Sequence, residues 1–252
     1  VGHLSCRHLT ELDVAVARGE LGKPKIWDPL LEVLRERGAL HEQDYVRHLV
    51  AKGYEAVRIG GEGVGQRQVD ETTEAMRAAA QVVIQGALLN ERWEGRADIL
   101  MRVEKPSELG NWSYEVIDTK LARETKAGAI LQLCLYSDLV RAVQGTLPEY
   151  MHIVSPWSEF LPRTFRTTDY AAYYRLVQRS LEASLAEKAK EQTYPDPKEH
   201  CDICRWRTQC DARRRSDDHL CLVAGISKLQ IGELQRQGIN TMDALANVWL
   251  PL

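Results

Sequence analysis

Two short apolar stretches with a turn between them constrain this chain more than any other feature of the sequence. They are Gly95-Arg96-Ala97-Asp98-Ile99-Leu100 and Tyr114-Glu115-Val116-Ile117-Asp118-Thr119-Lys120. Isoleucine and valine favour strands, whereas Pro106, Gly110 and Asn111 favour a turn, so the pattern predicts a β-hairpin. Such a hairpin brings Asp98 close to Asp118. The spacing of two residues puts Lys120 on the same strand face as Asp118.

These three charged side chains have a recognised chemistry. Two carboxylates on neighbouring strands form an oxygen-rich site suited to Mg²⁺ or Mn²⁺. With an ammonium group beside them, they provide the groups for metal-assisted hydrolysis of a phosphodiester, in which Lys120 steadies the nucleophile or the developing charge. The alternative is that Asp118 and Lys120 form an ordinary surface ion pair and Asp98 ends a strand. The Asp-x-Lys motif alone is too short to decide between them.

Further candidate residues lie on predicted helices on both sides of the hairpin. Downstream, a helix over 127–144 carries Gln132 and Tyr136, which are four residues apart and therefore share one face. Upstream, a helical pattern over 29–52, with a kink at Gly38, carries His41. Strands are predicted over 54–59, 81–90, 92–103, 112–119 and 150–154, and a further helix over 70–80. The glycines between 60 and 65 lack the Lys-Ser/Thr of a phosphate-binding loop and are interpreted as a turn.

Taken in order, these motifs resemble a known family. Gly-x-x-His, Gly-x-x-Asp, Asp-x-Lys and Gln-x-x-x-Tyr follow one another as in the RecB-type branch of the PD-(D/E)XK nuclease superfamily, and the resemblance covers residues 6 to 215. It implies an α/β restriction-endonuclease-like core of order α-β-β-β-α-β, with helical flanks and a C-terminal Cys cluster. It also implies a metal-dependent DNA nuclease. The implied catalytic residues are Asp98, Asp118, Lys120, Gln132 and Tyr136, and the implied metal site is His41, Asp98, Asp118 and Thr119.

A second constellation is the cysteine trio Cys201, Cys204 and Cys210. In a chain without an evident secretion signal, clustered cysteines indicate a metal rather than disulfides. Zinc could recruit His200 or Cys221 as a fourth ligand. A [4Fe–4S] cluster requires four thiolates.

The resemblance also supplies a fourth thiolate. In RecB-like nucleases of the AddB and CRISPR-associated type, a lone N-terminal cysteine joins a Cys-x-x-Cys-x₅-Cys trio around a [4Fe–4S] cluster. Cys6 matches that lone cysteine, although the short helix around it also allows a buried structural thiol. The implied cluster ligands are therefore Cys6, Cys201, Cys204 and Cys210, with Zn²⁺ as the alternative metal. Cys134 and Cys221 are assigned to packing.

The overall charge does not indicate a nucleic-acid protein. The formal net charge is −3, so DNA contacts have to come from local basic patches. Arg123 and Lys126 follow the hairpin. Arg205, Trp206 and Arg207 combine phosphate contacts with a stacking surface, or form a solvated helix face that balances nearby acids.

The length of 252 residues and the 44% hydrophobic content allow one sizeable core and a small appendage. We predict an N-terminal segment over 1–28 with the cluster cysteine and a nuclease core over 29–195. A Cys-rich segment over 196–221 and a helix-hairpin-helix-like segment over 222–252 follow. The expected partners are DNA, single-stranded or with a free end, and a helicase or further domain of a longer protein.

Without a long apolar run or a signal peptide, the expected location is the cytoplasm, with no membrane partner. The expected pathway is DNA repair, recombination or defence. Two other functions stay open. One is a DNA-binding or end-recognition module with a degenerate nuclease fold, and the other is a redox or zinc-structural protein.

Overall fold

The computed structural model describes residues 2–25, 29–186 and 193–249. The chain divides into two compact units, one formed by Asp28–Ser180 and one that combines Val1–Trp27 with Leu181–Leu252. The helices of the described chain, in order, are α1 (Gly2–Ser5), α2 (Arg7–Ala17), α3 (Pro29–Ala51), α4 (Gln66–Arg77), α5 (Ala127–Gln144), α6 (Thr167–Ala186), α7 (Arg207–Ser216), α8 (Lys228–Arg236) and α9 (Met242–Ala246).

The larger unit is built on a sheet that has six strands in the described part of the chain. They are β1 (Ala56–Arg58), β2 (Val82–Asn90), β3 (Trp93–Val103), β4 (Ser113–Thr119), β5 (Tyr150–Val154) and β6 (Arg163–Arg166). Their spatial order equals their chain order. The central β2–β3 and β3–β4 pairs are antiparallel, and β4 runs parallel to β5. Parallel neighbours need a crossover between them, and α5 provides it.

Strand β4 is buried along nearly its whole length because helices cover both faces of the sheet. Tyr114 and Val116 pack in one apolar cluster with residues of α5. Ile117, which points to the opposite face, packs in a second cluster with Tyr45 and Leu49 of α3. The apolar residues of β4 are Tyr114, Val116 and Ile117, and its buried Glu115 is paired with His152 at 2.9 Å.

The structure confirms the α/β class and the predicted order of helix, three strands, helix and strand. Helix α5 and strand β5 have the predicted bounds, and β2, β3 and β4 begin one residue later than predicted. Helix α3 includes Gly38 within one continuous range from Pro29 to Ala51, and the kink expected at Gly38 stays a prediction. Helix α4 begins four residues earlier than predicted, since Gly65 precedes its first turn as the N-cap residue.

In the smaller unit, the N-terminal helix contacts residues far along the chain. His8 Nδ1 donates to Thr193 Oγ1 at 2.8 Å, and the Thr193 hydroxyl donates in turn to Glu11. Trp206 Nε1 donates to Asp13 at 3.4 Å. These contacts hold α2 against the segment that carries the cysteine trio.

Candidate active site

The carboxyl end of β4 carries a buried carboxylate whose charge is only partly compensated. Asp118 is fully buried, and its Oδ1 has no hydrogen-bond donor among the described residues. Lys120 Nζ forms an ion pair with its Oδ2 at 2.7 Å. Burial, followed by the Asp98 carboxylate, raises the pKa of Asp118 to about 7, although the Lys120 ammonium acts in the opposite direction. A buried carboxylate with one unpartnered oxygen favours a further cation as its partner.

The second predicted carboxylate lies opposite the first. The β3–β4 ladder pairs Ile99 with Ile117, so Asp98 and Asp118 occupy the next opposed position. Asp98 Oδ2 accepts hydrogen bonds from the Thr119 backbone N–H at 2.7 Å and from its hydroxyl at 2.8 Å. The hydroxyl of Thr119 therefore orients the Asp98 carboxylate.

Strands β2 and β3 depart from regular pairing beside Asp98. The ladder between β2 and β3 skips one opposed pair, Gln85 and Asp98, and Gln85 has a left-handed φ of 57°. Val83 and Leu88 are five residues apart and belong to the same apolar cluster, although residues on one face of a regular strand are separated by even numbers. The same odd spacing on β3 occurs between Ala97 and Leu100. Both strands thus change face beside Asp98, which frees its carboxylate to reach β4.

The side chain of Gln85 connects this irregularity to α3. Gln85 Nε2 donates to Glu42 at 2.8 Å, and Arg96 Nε donates to Gln85 Oε1 at 3.0 Å. The other guanidinium nitrogens of Arg96 donate to two carbonyls of the glycine-rich turn at 59–63. Burial, with a smaller contribution from Asp98, raises the pKa of Glu42. Sequence reasoning missed the roles of Gln85 and Arg96; the one available signal was a glutamine inside the apolar run of β2.

His41 is buried and is held beside the same strand end. Its Nε2 donates to the carbonyl of Val154 at 3.1 Å, and the backbone N–H of Lys120 donates to the same oxygen at 3.0 Å. A ring nitrogen that donates to a carbonyl carries the proton, which leaves Nδ1 with a lone pair in the neutral ring. This is the tautomer that a metal-ligating histidine requires.

We expect His41→Ala to raise the Mn²⁺ concentration needed for half-maximal cleavage by about 10-fold or more, while DNA binding changes little. The measurement is a Mn²⁺ titration of the cleavage rate beside a DNA-binding isotherm. His48→Ala is the matched control, because His48 lies on the same helix and also packs on Phe160. An unchanged Mn²⁺ titration would make His41 a structural residue.

The last predicted pair lies on α5 and reaches the same carboxylates. Gln132 Nε2 donates to the Tyr136 hydroxyl at 2.7 Å. Tyr136 is buried, and its pKa is raised mainly by that burial, with further contributions from Asp118 and Asp98. A Cβ at Gly95 would lie 2.6 Å from the Tyr136 ring, so the glycine provides the space in which the ring crosses β3. The Gly-x-x-Asp and Gln-x-x-x-Tyr motifs are therefore in direct contact.

We expect Gly95→Ala to displace the Tyr136 ring and to lower both stability and activity. Overpacking of this kind costs about 1–3 kcal/mol of unfolding free energy. Urea unfolding and single-turnover cleavage measure the two effects. Gly22→Ala is the control, because a Cβ at Gly22 meets no atom within 4 Å. Normal activity of Gly95→Ala would show that the Tyr136 position is not required.

In the smaller unit, all four predicted cluster cysteines line one small cavity, namely Cys6, Cys201, Cys204 and Cys210. Each cysteine of the chain is a free thiol. Burial, with a smaller contribution from the neighbouring thiols, raises the pKa of Cys210 to about 11. Arg214, 4% exposed, lines the same cavity and donates to the Pro195 carbonyl and to Asp211. The cavity thus combines four thiols with one buried guanidinium.

Neither centre is arranged as a finished site for a single ion. Within the described ranges, no three side chains of His, Cys, Asp or Glu are grouped so as to hold one metal ion. At β4, the ammonium of Lys120 is the cation nearest the Asp118 carboxylate. The fit to a metal therefore rests on the unpartnered Oδ1 of Asp118 and on the chemistry of the donors, not on a preformed ligand cage.

The predicted DNA-binding residues belong to both units of the chain. Arg123 and Lys126 are exposed on the segment between β4 and α5, and Arg205 and Arg207 are exposed around the cysteine trio. The prediction that Trp206 provides a stacking surface is wrong, because its indole is 1% exposed. Arg207 is paired with Asp202 at 3.0 Å, as the alternative of charge balance proposed. At the C-terminal end, α8 and α9 are joined by a short turn that contains Gly238.

Comparison with known proteins agrees with this geometry. The model of the PD-(D/E)XK nuclease superfamily matches residues 10–211, which include His41, Asp98, Asp118, Lys120 and Tyr136. A search of curated proteins finds no match. Among the described helices, none is long and apolar enough to cross a bilayer. Because the match spans most of the sequence and the fold agrees with it, this chain belongs to the PD-(D/E)XK nuclease superfamily.

Proposed function

We propose that the protein is a deoxyribonuclease of the RecB-like type that depends on Mg²⁺ or Mn²⁺. The observation that carries the proposal is Asp118, which is fully buried and lies opposite Asp98. Its Oδ2 is paired with Lys120, and its Oδ1 has no hydrogen-bond donor among the described residues. A degenerate binding module has no need to keep so unfavourable a carboxylate. Hydrolysis of a phosphodiester does need one.

Each residue of the site has a distinct role in this proposal. In this proposal Asp118, Asp98 and Nδ1 of His41 would converge on the divalent ion, since the described structure does not group them around one point. Thr119 orients Asp98. When bound, the ion polarises the phosphate and lowers the pKa of a water molecule. Lys120 places its ammonium at the attacked phosphate and stabilises the charge that develops there. Tyr136, held by Gln132, supports the carboxylates from the α5 side.

The substrate is DNA, single-stranded or with a free end. The exposed cations Arg123 and Lys126 follow Lys120 directly along the chain and supply phosphate contacts in a protein whose net charge is −3. The order of the sequence motifs supports a role in DNA repair, recombination or defence in the cytoplasm. It also supports partnership with a helicase or a further domain, and α8 and α9 give a helix-hairpin-helix-like contact to DNA.

The smaller unit holds a [4Fe–4S] cluster in this proposal, with Zn²⁺ as the alternative. Support comes from the cavity that the four cysteines share and from the guanidinium of Arg214, which offsets the negative charge of thiolates. Thiolates around a cubane bind four different iron atoms. They therefore need not converge on one point as the ligands of a single zinc ion do.

The deciding experiment is digestion of end-labelled single-stranded and duplex DNA with Mg²⁺, Mn²⁺, Zn²⁺ or EDTA. We expect cleavage with Mg²⁺ or Mn²⁺ and none with EDTA. Binding of DNA without cleavage under every metal would instead support an end-recognition module with a degenerate site.

A further inference from the structure

An exposed aromatic side chain lies on the loop that leaves the sheet beside the active site. Strands β4 and β5 are parallel and pair Asp118 with Ile153 and Thr119 with Val154. The segments that follow the two strands therefore leave the sheet at the same edge. The residues after β5 therefore emerge next to Lys120. Trp157 is three residues beyond Val154 and is 61% exposed.

Trp157 is bound to the segment that follows Lys120. Its Nε1 donates to the carbonyl of Leu121 at 3.4 Å. The guanidinium carbon of Arg123 lies 4.7 Å from the centroid of its ring, as in a cation–π pair. An exposed indole and an exposed cation thus form one surface, the Trp157–Arg123 platform, next to the reacting group.

The loop that carries the platform is anchored to the core. Phe160 is half-buried, and its ring stacks on His41 with a centroid distance of 6.2 Å and an interplanar angle of 10°. It also packs against Tyr45 and His48. Glu159 and Phe160 have φ values of 51° and 62°. A backbone conformation that ordinary residues avoid persists only where the surroundings impose it, and it is common near functional sites.

The exposure of Trp157 argues against a purely structural role. Trp206 shows what packing does to an indole in this protein, since it is 1% exposed. A large aromatic side chain left in water beside a cation provides the two elements that single-stranded nucleic acids recognise, a π-face for a base and a positive charge for the backbone.

We propose that the Trp157–Arg123 platform binds an unpaired base of the DNA strand next to the phosphate that is cleaved. This inference rests on the proposed nuclease function and names the part of the site that selects the substrate. An indole stacks on a base only when the face of the base is free. In a duplex both faces are covered, and unstacking a base costs free energy. The platform therefore makes single-stranded DNA and frayed ends the preferred substrates.

The test compares Trp157→Ala with Trp157→Phe, which keeps a stacking ring. Tyr173→Ala is the matched control, because Tyr173 is a 53% exposed aromatic residue of α6 in the same unit. Binding of a fluorescein-labelled 20-nucleotide single strand and of a blunt duplex is measured by anisotropy with Ca²⁺ in place of Mg²⁺. Cleavage of both DNAs is measured with Mg²⁺, and circular dichroism checks that the variants fold.

We expect Trp157→Ala to weaken single-strand binding about 5- to 150-fold, the range of one lost base stack, and to change duplex binding less than 2-fold. Trp157→Phe should restore most of the affinity, and Tyr173→Ala should leave it unchanged. If Trp157→Ala weakened binding of single strand and duplex equally, or weakened neither, the proposal that the Trp157–Arg123 platform binds a base would be wrong. If the wild-type protein cleaves neither DNA, the nuclease proposal fails while the anisotropy arm still decides whether the platform binds bases.

Discussion

Replacing Asp118 with asparagine is expected to abolish cleavage and to stabilise the metal-free protein. Loss of a central electrostatic group lowers the rate on the order of 10²–10³. Asparagine has the same shape without the charge, so it also removes the unfavourable burial of the carboxylate beside Asp98. Each kcal/mol gained raises the melting temperature by about 2–4 °C in a protein of this size. Single-turnover cleavage and thermal melting in EDTA measure the two effects.

The effect of pH on the metal-free protein follows from the same group. Folding raises the pKa of Asp118 to about 7, from about 3.9 in the unfolded chain. Between these two pH values Asp118 keeps its proton in the folded protein but loses it in the unfolded chain. Rising pH therefore favours the unfolded chain, and the free energy of unfolding decreases as the pH rises from about 4 to 7. This decrease should be absent in Asp118→Asn. Saturating Mg²⁺ should raise the melting temperature of the wild-type protein but not that of the variant.

Lys120→Ala tests the same site through its cation. The ammonium is one-third exposed and pairs with the buried Asp118, so its removal is expected to stop cleavage and to lower the melting temperature of a protein that still folds. The matched control is Lys105→Ala, which removes a lysine paired with Glu149 at the protein surface. Near-normal cleavage by either Asp118→Asn or Lys120→Ala would refute the assignment of the active site to β4.

The sequence predicted the sheet well because its central strands are rich in valine, isoleucine and leucine and β3 and β4 are separated by turn residues. It also predicted that Asp98 and Asp118 lie together, since a hairpin register requires it. A glycine inside a helix is tolerated at a modest cost in stability, so the helical pattern predicted on both sides of Gly38 forms one helix.

The remaining features of the site depend on tertiary contacts that no short pattern contains. The left-handed backbone of Gln85 and its hydrogen bond to Glu42 form only when β2 pairs with β3 and packs near α3, so the sequence around Gln85 does not predict them. Trp157 lies far along the chain from Lys120, and only the parallel pairing of β4 with β5 brings their ends to one edge. Trp206 was misjudged for the same reason. Its basic neighbours suggested an exposed patch, whereas its contact with Asp13 requires the N-terminal helix.

The second prediction with a large expected effect concerns the metal content of the cysteine cavity. We expect protein purified without oxygen to be brown, with about four iron and four sulfide ions per chain, as a cubane held by four thiolates requires. Replacing Cys6, Cys201, Cys204 or Cys210 by serine should bleach it. Cys221→Ser and Cys134→Ala are the controls and should stay brown. Cys134 is a core residue of the other unit, so only its stability is expected to change. Zinc alone in anaerobic material would refute the iron assignment.

The same replacements should lower the melting temperature, because the cluster would join residues near the two ends of the chain. Cys6 and Cys201 enclose almost 200 residues, and closing such a loop in the unfolded state costs about 5 kcal/mol by the cross-link estimate. A folded domain holds only about 5–15 kcal/mol in total. The hydrogen bonds of Thr193 with His8 and Glu11 already bring the two segments together. A Cys6→Ser variant that stays folded but melts earlier therefore isolates the contribution of the cluster, and a brown Cys6→Ser variant would remove Cys6 from it.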